Sequence, residues 1–176
     1  SDVCSSDLPG SVVAQKRVQI AIAVDVAVHR RDRRLMNAGR RRVGSKLAPA
    51  NLKGVRMLYR ALLRGETVGL LPDQAPGRGE GVWANFFGRP AYTMTLVRRL
   101  QAASGAALIM TFAQRLPRSR GYRLHAQELS AAAFDEAVLN RAVEETVRRC
   151  PAQYLWGYDR YKIPAHAEAP PGKDEG

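Results

Sequence analysis

The stretch VGLLPDQAPGRGEGVWANFFGRPAYT, residues 68–93, decides how the rest of the chain is interpreted. It opens with an apolar run, residues 68–71, of the length expected for a buried strand. A Pro-Asp-Gln turn, residues 72–74, follows at the carboxyl end of that strand, where ligands collect in open α/β sheets. A glycine-rich loop and two adjacent aromatics then lead to Thr93, which we expect to cap a helix. We therefore expect the functional site at this loop.

Hydrophobic periodicity elsewhere in the chain indicates strands that alternate with helices. We predict strands at residues 18–28, 68–71, 107–112 and 122–129, and helices at residues 30–43, 55–63, 93–104 and 135–150. The aromatic segment 154–161 is compatible with a last strand or with a loop. This order predicts an α/β fold with a mostly parallel sheet flanked by helices. We assign residues 1–10 to a foreign or disordered leader, 11–163 to one domain that is incomplete at its amino terminus, and 164–176 to a disordered tail.

Positive charge is the most unusual feature of the composition, with a net charge of +12. Residues 16–46 contain ten lysines and arginines and two aspartates, which gives this segment a charge of +8. Such a segment is either a solvated helix face or a surface for nucleic acid, acidic lipid headgroups or an acidic carrier protein. The two cysteines, Cys4 and Cys150, have no metal-ligand spacing, and we predict no metal site. No membrane-spanning helix is predicted, because the best apolar run, residues 18–28, is too short and contains Asp25.

The Pro-Asp-Gln turn, the glycine-rich spacer and the run FFGRPAYT at residues 86–93 resemble the bacterial lipid A biosynthesis acyltransferases. These lauroyl and myristoyl transferases belong to the lysophospholipid acyltransferase-like superfamily. The resemblance covers about residues 24–162 and continues through GYRLH at residues 121–125 to the blocks YLW and RYK that begin at Tyr154 and Arg160. It implies a sandwich of helices around a mostly parallel sheet.

The chain departs from this family at the catalytic motif. The resembled enzymes carry a histidine followed five positions later by Asp or Glu. None of the three histidines here, His29, His125 and His166, has a carboxylate at that position. We therefore predict that the catalytic pair is absent from this chain, and that the chain is an inactive fragment of such an enzyme.

The candidate site residues lie mainly in the stretch 68–93. Considered alone, Asp73 and Gln74 suit a structural turn, and the glycine-rich loop suits a flexible turn. The resemblance implies instead that the pair shapes the active site and that the loop is a lid beside the acyl and acceptor sites. Because neighbours on an extended segment point opposite ways, at most one of the paired phenylalanines faces a pocket. We expect residues 73–93 to form one wall of an apolar cleft. We predict substrate contacts from Arg30, Asp73, Gln74, Gly79, Gly81, Trp83, Phe86, Phe87, Gly88 and Arg89, and no catalytic residue in this chain.

The resemblance implies transfer of a fatty acyl group from acyl carrier protein to a hydroxyl of a lipid A precursor, with a histidine as general base. It implies no cofactor beyond the carrier thioester. The implied partners are acyl carrier protein, a phosphorylated glycolipid and the cytoplasmic face of the bacterial inner membrane. The alternative is a basic nucleic-acid-binding module, but the basic run lacks interleaved aromatics and a recognised motif, so we expect no nucleic acid partner. A third alternative is a scaffold that binds lipid without chemistry.

Overall fold

The computed structural model describes residues 19–23, 46–77, 80–165 and 167–171. Two predicted site residues, Arg30 and Gly79, lie outside these ranges, as do the predicted helix at 30–43 and most of the predicted strand at 18–28. No helix in the described ranges combines the length and the apolar character needed to cross a bilayer.

A four-stranded mixed sheet forms one layer of the fold. Its strands are β1 (Gln19–Ala23), β2 (Val68–Leu70), β5 (Ala107–Arg115) and β6 (Tyr122–Leu129), in the spatial order β2-β1-β5-β6. β1 pairs in parallel with both β2 and β5, whereas β5 and β6 are antiparallel. The α/β class predicted from the sequence is confirmed, with β6 added as an antiparallel strand at the edge.

Within the described ranges, three α-helices accompany the sheet: α1 (Leu52–Leu63), α2 (Leu96–Ser104) and α3 (Glu136–Arg149). The Asp135 side chain caps α3 as predicted, accepting a hydrogen bond from the Val138 N–H at 2.7 Å. Helix α3 ends at Cys150, directly before Pro151, because proline cannot continue the hydrogen-bond ladder. The helices bury apolar side chains against one face of the sheet in a core that includes Leu62, Val68, Val97, Leu100, Leu108, Met110, Leu139, Val143 and Val147.

A separate hairpin, β3 (Gly81–Phe86) and β4 (Arg89–Met94), corrects the sequence prediction for this region. Thr93 was expected to cap a helix, but it lies in β4 opposite Val82, and α2 begins only at Leu96. The turn at residues 87–88 has two positive φ angles, as in the two-residue turns whose twist matches that of antiparallel strands. The extended chain therefore continues through Thr93 before the helix starts.

Candidate functional site

The Pro-Asp-Gln turn lies directly after β2. Asp73 is only 4% exposed, and Gln74 is partly buried. The N–H of the next residue, Ala75, donates a 2.9 Å hydrogen bond to Tyr158 Oη. This bond ties the turn to the aromatic segment 154–161, which follows a short 3-10 helix (Pro151–Gln153) and is a loop rather than a strand.

The charges of Asp73 and Arg160 both affect the ionisation of the buried Tyr154. Burial raises the pKa of Tyr154 to about 12, and the charge of Asp73 adds to this effect while Arg160 opposes it. Burial lowers the pKa of Arg160 from its usual value, and nearby tyrosines and Asp73 counteract that shift. Tyr154 therefore stays protonated at neutral pH, which makes it a hydrogen-bonding group and a poor general base.

Arg160 is a buried clamp on the hairpin. Its guanidinium donates hydrogen bonds to Tyr92 O at 2.8 Å, Thr93 Oγ1 at 2.9 Å and Asn140 Oδ1 at 3.1 Å. Asn140 donates from Nδ2 to Thr93 Oγ1 at 2.9 Å and to the carbonyl of Asn85 at 3.0 Å. These bonds join the carboxyl-terminal segment, α3 and both strands of the hairpin in one buried polar cluster, in which Arg160 Nε is buried without a hydrogen-bond partner among the described residues.

The paired phenylalanines take different roles at the tip of the hairpin. Phe86 is buried in the core, while Phe87 is partly exposed with φ = +47°, an unusual value for a non-glycine residue. The Phe87 N–H donates a 2.7 Å hydrogen bond to the Glu144 carboxylate, which holds the turn against α3. The two rings make an edge-to-face contact with their centroids 4.8 Å apart. Phe86 therefore belongs to the core, and Phe87 is the more exposed of the two rings.

Aromatic rings and cations alternate around this tip. The Phe87 ring lies 6.0 Å from Trp156, which is 60% exposed, and the Arg148 guanidinium lies 4.9 Å from the Phe87 centroid. On the β4 side, the exposed Arg89 guanidinium lies 4.2 Å from the centroid of Tyr161. We call Phe87, Arg89, Arg148, Trp156 and Tyr161 the aromatic rim. Each cation is within the range of an attractive cation–π contact, so the rim presents apolar faces and positive charge together.

A hollow of about 260 Å³ adjoins the rim. Its floor includes Trp83, whose Nε1–H donates a 3.0 Å hydrogen bond to the carbonyl of Glu168 in the carboxyl-terminal segment. The residues that line it are Trp83, Arg89, Pro90, Tyr161, Ile163, Pro170 and Pro171. Aromatic and proline faces with one guanidinium suit a ligand that has both apolar or sugar-like surface and negative charge.

The hairpin places four of the ten sequence-predicted residues at the hollow or the rim. Trp83 and Arg89 line the hollow, and Phe87 lies in the rim with Gly88 beside it in the turn. Gly81 begins β3 where a Cβ would lie 2.7 Å from Thr93 O, so only glycine fits there without displacement. Asp73 and Gln74 do not line the hollow. The charge of Asp73 acts on Arg160, whose pKa it raises against the effect of burial, and the Arg160 guanidinium lies 5.2 Å from the Phe86 ring centroid.

Sequence reasoning missed Asn140, Arg148 and the clamping role of Arg160. The sequence holds one signal for Asn140. This polar residue follows Leu139 on the apolar face of α3, where an amide is tolerated only if it is hydrogen-bonded. His125 stacks on Phe112 with centroids 4.4 Å apart, and its Nε2 lies 3.0 Å from Gln114 Oε1. In the described ranges, no three His, Cys, Asp or Glu residues converge as a metal site would require.

Comparison with known proteins identifies the family. A family model described as bacterial lipid A biosynthesis acyltransferase matches residues 3–163. The lipid A biosynthesis palmitoleoyltransferase of Escherichia coli and a lipid A biosynthesis acyltransferase of Shigella flexneri are each 33% identical over 129 residues, 70% of this chain and 42% of each relative. The lipid A biosynthesis lauroyltransferase of Escherichia coli is 30% identical over 128 residues, 69% of this chain and 42% of that relative.

The match therefore spans less than half the length of these relatives. The family model matches residues 3–163, which include the Pro-Asp-Gln turn, the hairpin and Arg160. This agreement favours the acyltransferase interpretation over a nucleic-acid-binding module. The chain belongs to the bacterial lipid A biosynthesis acyltransferase family.

Proposed function

We propose that this chain is part of an enzyme that moves a fatty acyl group from acyl carrier protein to a hydroxyl of a lipid A precursor at the cytoplasmic face of the inner membrane. The observation that carries the proposal is the family match across residues 3–163. The names of these relatives describe transfer of palmitoleoyl and lauroyl groups in lipid A biosynthesis. The net charge of +12 suits an acidic carrier protein and a phosphorylated acceptor.

In this proposal, the hollow holds the polar part of the acceptor. A lipid A precursor is a phosphorylated glycolipid, so it needs flat apolar surfaces for its sugar rings and a cation for its phosphate. Trp83 and Tyr161 provide the surfaces, and Arg89 provides an exposed guanidinium that can pair with two phosphate oxygens at once. The cation–π contact with Tyr161 holds Arg89 in place before the ligand arrives, which reduces the entropy lost on binding.

Phe87 and Trp156 supply the surface for a fatty chain. Their rings lie 6.0 Å apart, and Trp156 is largely exposed. Each methylene that leaves water stabilises the complex by about 0.8 kcal/mol, so covering only a few methylenes on these rings stabilises binding substantially. Arg148 lies over the Phe87 ring and Arg89 over the Tyr161 ring, so the phosphate and the chain of one ligand can both reach the rim.

The chemical step requires a base to remove the proton of the acceptor hydroxyl. The hydroxyl oxygen then forms a bond to the thioester carbonyl carbon, and the carbon–sulfur bond breaks to release the carrier thiolate. The family resemblance assigns the base to a histidine paired with a carboxylate, a pattern that no histidine of this chain shows. We assign to Asp73 a positioning role, because it is buried beside Arg160 and Tyr154 rather than exposed to a ligand.

Two measurements test the proposal. The full chain, incubated with acyl carrier protein thioester and a lipid A precursor, is expected to give no acyl transfer above the uncatalysed background. Turnover would show that the missing motif is dispensable. In the second measurement, the precursor is titrated in detergent micelles against Arg89→Gln and the control Arg141→Gln, an exposed arginine of α3.

We expect Arg89→Gln to weaken binding of the precursor by at least about tenfold, since a charged hydrogen-bonding pair contributes roughly 1.5–3 kcal/mol. The control is expected to bind like the unmodified chain. Equal affinities for both variants would show that the hollow is not the acceptor site, and this result would leave family membership unaffected.

A further inference from the structure

The outward face of α1 carries cations that the described part of the chain does not neutralise. Lys53, Arg56 and Arg60 are exposed, and the residues described around them form no ion pair with any of the three. The sequence of α1 contains no acidic residue. The next cation, Arg64, is paired with Glu66 at 2.7 Å, so the uncompensated charge is concentrated on the helix itself.

Large apolar side chains stand beside these cations. Leu52 is 73% exposed and Leu63 is 62% exposed, although leucine normally favours the interior. They are eleven residues apart, which is about three helical turns, so they lie on the same flank of α1. Arg56 lies between them, and Met57, which is 40% exposed, lies on the far side of the row formed by the three cations. The opposite face of α1 is the one that packs into the core through Leu62.

We propose that α1 lies with this outward face on the surface of an anionic lipid bilayer. Lys53, Arg56 and Arg60 would contact lipid phosphates, and Leu52 and Leu63 would insert at the boundary between headgroups and acyl chains. This surface is distinct from the hollow and the rim, and it deepens the proposed function by naming the part of the chain that contacts the membrane in which the acceptor is dissolved.

The size of the face favours lipid over a protein partner. A helix of 12 residues is about 18 Å long, and an exposed strip about 10 Å wide has an area of roughly 180 Å². A stable protein–protein interface covers about 800 Å² on each partner. Lipid headgroups bind individually and impose no such minimum, so a short strip with several cations and two leucines is sufficient.

The test is sedimentation of the full chain with vesicles of phosphatidylglycerol and phosphatidylethanolamine, compared with vesicles of phosphatidylcholine. No acceptor glycolipid is present, so the outcome is independent of acyl transfer and of the hollow. The double variant Arg56→Glu/Arg60→Glu is compared with Arg99→Glu/Arg141→Glu, which makes the same change in net charge on α2 and α3.

We expect binding to the anionic vesicles only. Each cation near the surface contributes about a fivefold gain in affinity, so the α1 charge variant should bind about thirtyfold more weakly or worse, and the control variant less than threefold more weakly. Leu52→Ser/Leu63→Ser should also weaken binding, whereas Leu124→Ser, at a 71% exposed leucine of β6, should not.

Three results would overturn the proposal. The first is the absence of binding to anionic vesicles. The second is an equal loss of binding in the two charge variants, which would indicate diffuse attraction by the net charge. The third is that the α1 charge variant loses binding to an acidic carrier protein but keeps its binding to vesicles, which would assign the face to a protein partner. Circular dichroism of each variant confirms that the fold is retained.

Discussion

Replacing Arg160 with methionine tests whether the buried clamp holds the hairpin to the rest of the fold. Methionine keeps the length and apolar character of the arginine stem but removes the guanidinium. The substitution leaves Tyr92 O, Thr93 Oγ1 and Asn140 Oδ1 without the donor that now lies 2.8–3.1 Å away. It also removes the cation from above the Phe86 ring. The expected consequence is a less stable protein with a loosened hairpin.

The size of the effect follows from two opposing terms. Hydrogen bonds from a charged donor contribute roughly 1.5–3 kcal/mol each, so three of them amount to about 4.5–9 kcal/mol. Burial of the guanidinium costs several kcal/mol, and the lowered pKa of Arg160 reflects that cost. The balance leaves a net loss of about 3 kcal/mol, which for a chain of this length corresponds to a midpoint temperature about 6–12 °C lower.

The free energy of unfolding is measured by urea titration of Arg160→Met and of the control Arg141→Met, which alters an exposed arginine on α3. The control is expected to change stability by less than about 0.5 kcal/mol, as is usual for surface substitutions. If the two variants unfold at the same urea concentration, the polar cluster contributes no net stability, and the hairpin is held by apolar packing alone. Arg160→Lys should fall between the two, because lysine keeps the charge but reaches fewer acceptors.

Two further predictions concern the hairpin and the tyrosine beside the clamp. Gly81→Ala should destabilise the chain by about 1–3 kcal/mol, because the new Cβ would lie 2.7 Å from the backbone oxygen of Thr93. The control is Gly77→Ala, whose new Cβ meets nothing within 4 Å, and it should be neutral or slightly stabilising in the same urea titration. Stability should also fall as pH rises from 10 to 12, because unfolding lets Tyr154 ionise at its ordinary pKa of about 10, while its pKa in the folded state is about 12. The contribution is complete below pH 10, and Tyr154→Phe should flatten that part of the pH profile; an unchanged slope in this variant would contradict the assignment.

The sequence predicted the elements whose signals are local. The strand at 122–129 and the capped helix after Asp135 were placed correctly, because alternation, a side-chain cap and a terminating proline can all be read within a few residues. The β3–β4 hairpin was missed because its turn places Phe87, not Gly or Asn, at a positive φ. Thr93 was misplaced for a different reason. Its hydroxyl is satisfied by Asn140 and Arg160, 47 and 67 residues away in the chain, and no local rule contains that information.

Contacts between residues far apart in the chain also limited what the sequence could predict about the candidate site. A resemblance in sequence identified the hairpin residues, but it did not indicate how they are held. The structure shows that Asn140, Glu144 and Arg148 each contact the hairpin: the first binds Thr93 and the β3 carbonyls, the second accepts from the Phe87 N–H, and the third lies over the Phe87 ring.

These three polar residues are spaced by four positions, so they form a single stripe along α3. Arg148 also pairs with Glu144 at 2.9 Å, which links the carboxylate that holds the strained turn to the cation that covers its ring. A positive φ at a non-glycine residue costs about 1–3 kcal/mol and persists only where its surroundings fix it. The charged hydrogen bond from Phe87 to Glu144 offsets a cost of that size. The orientation of Phe87 toward Trp156 is therefore set by the polar stripe of α3, and a ligand at the rim meets a surface that is already in position.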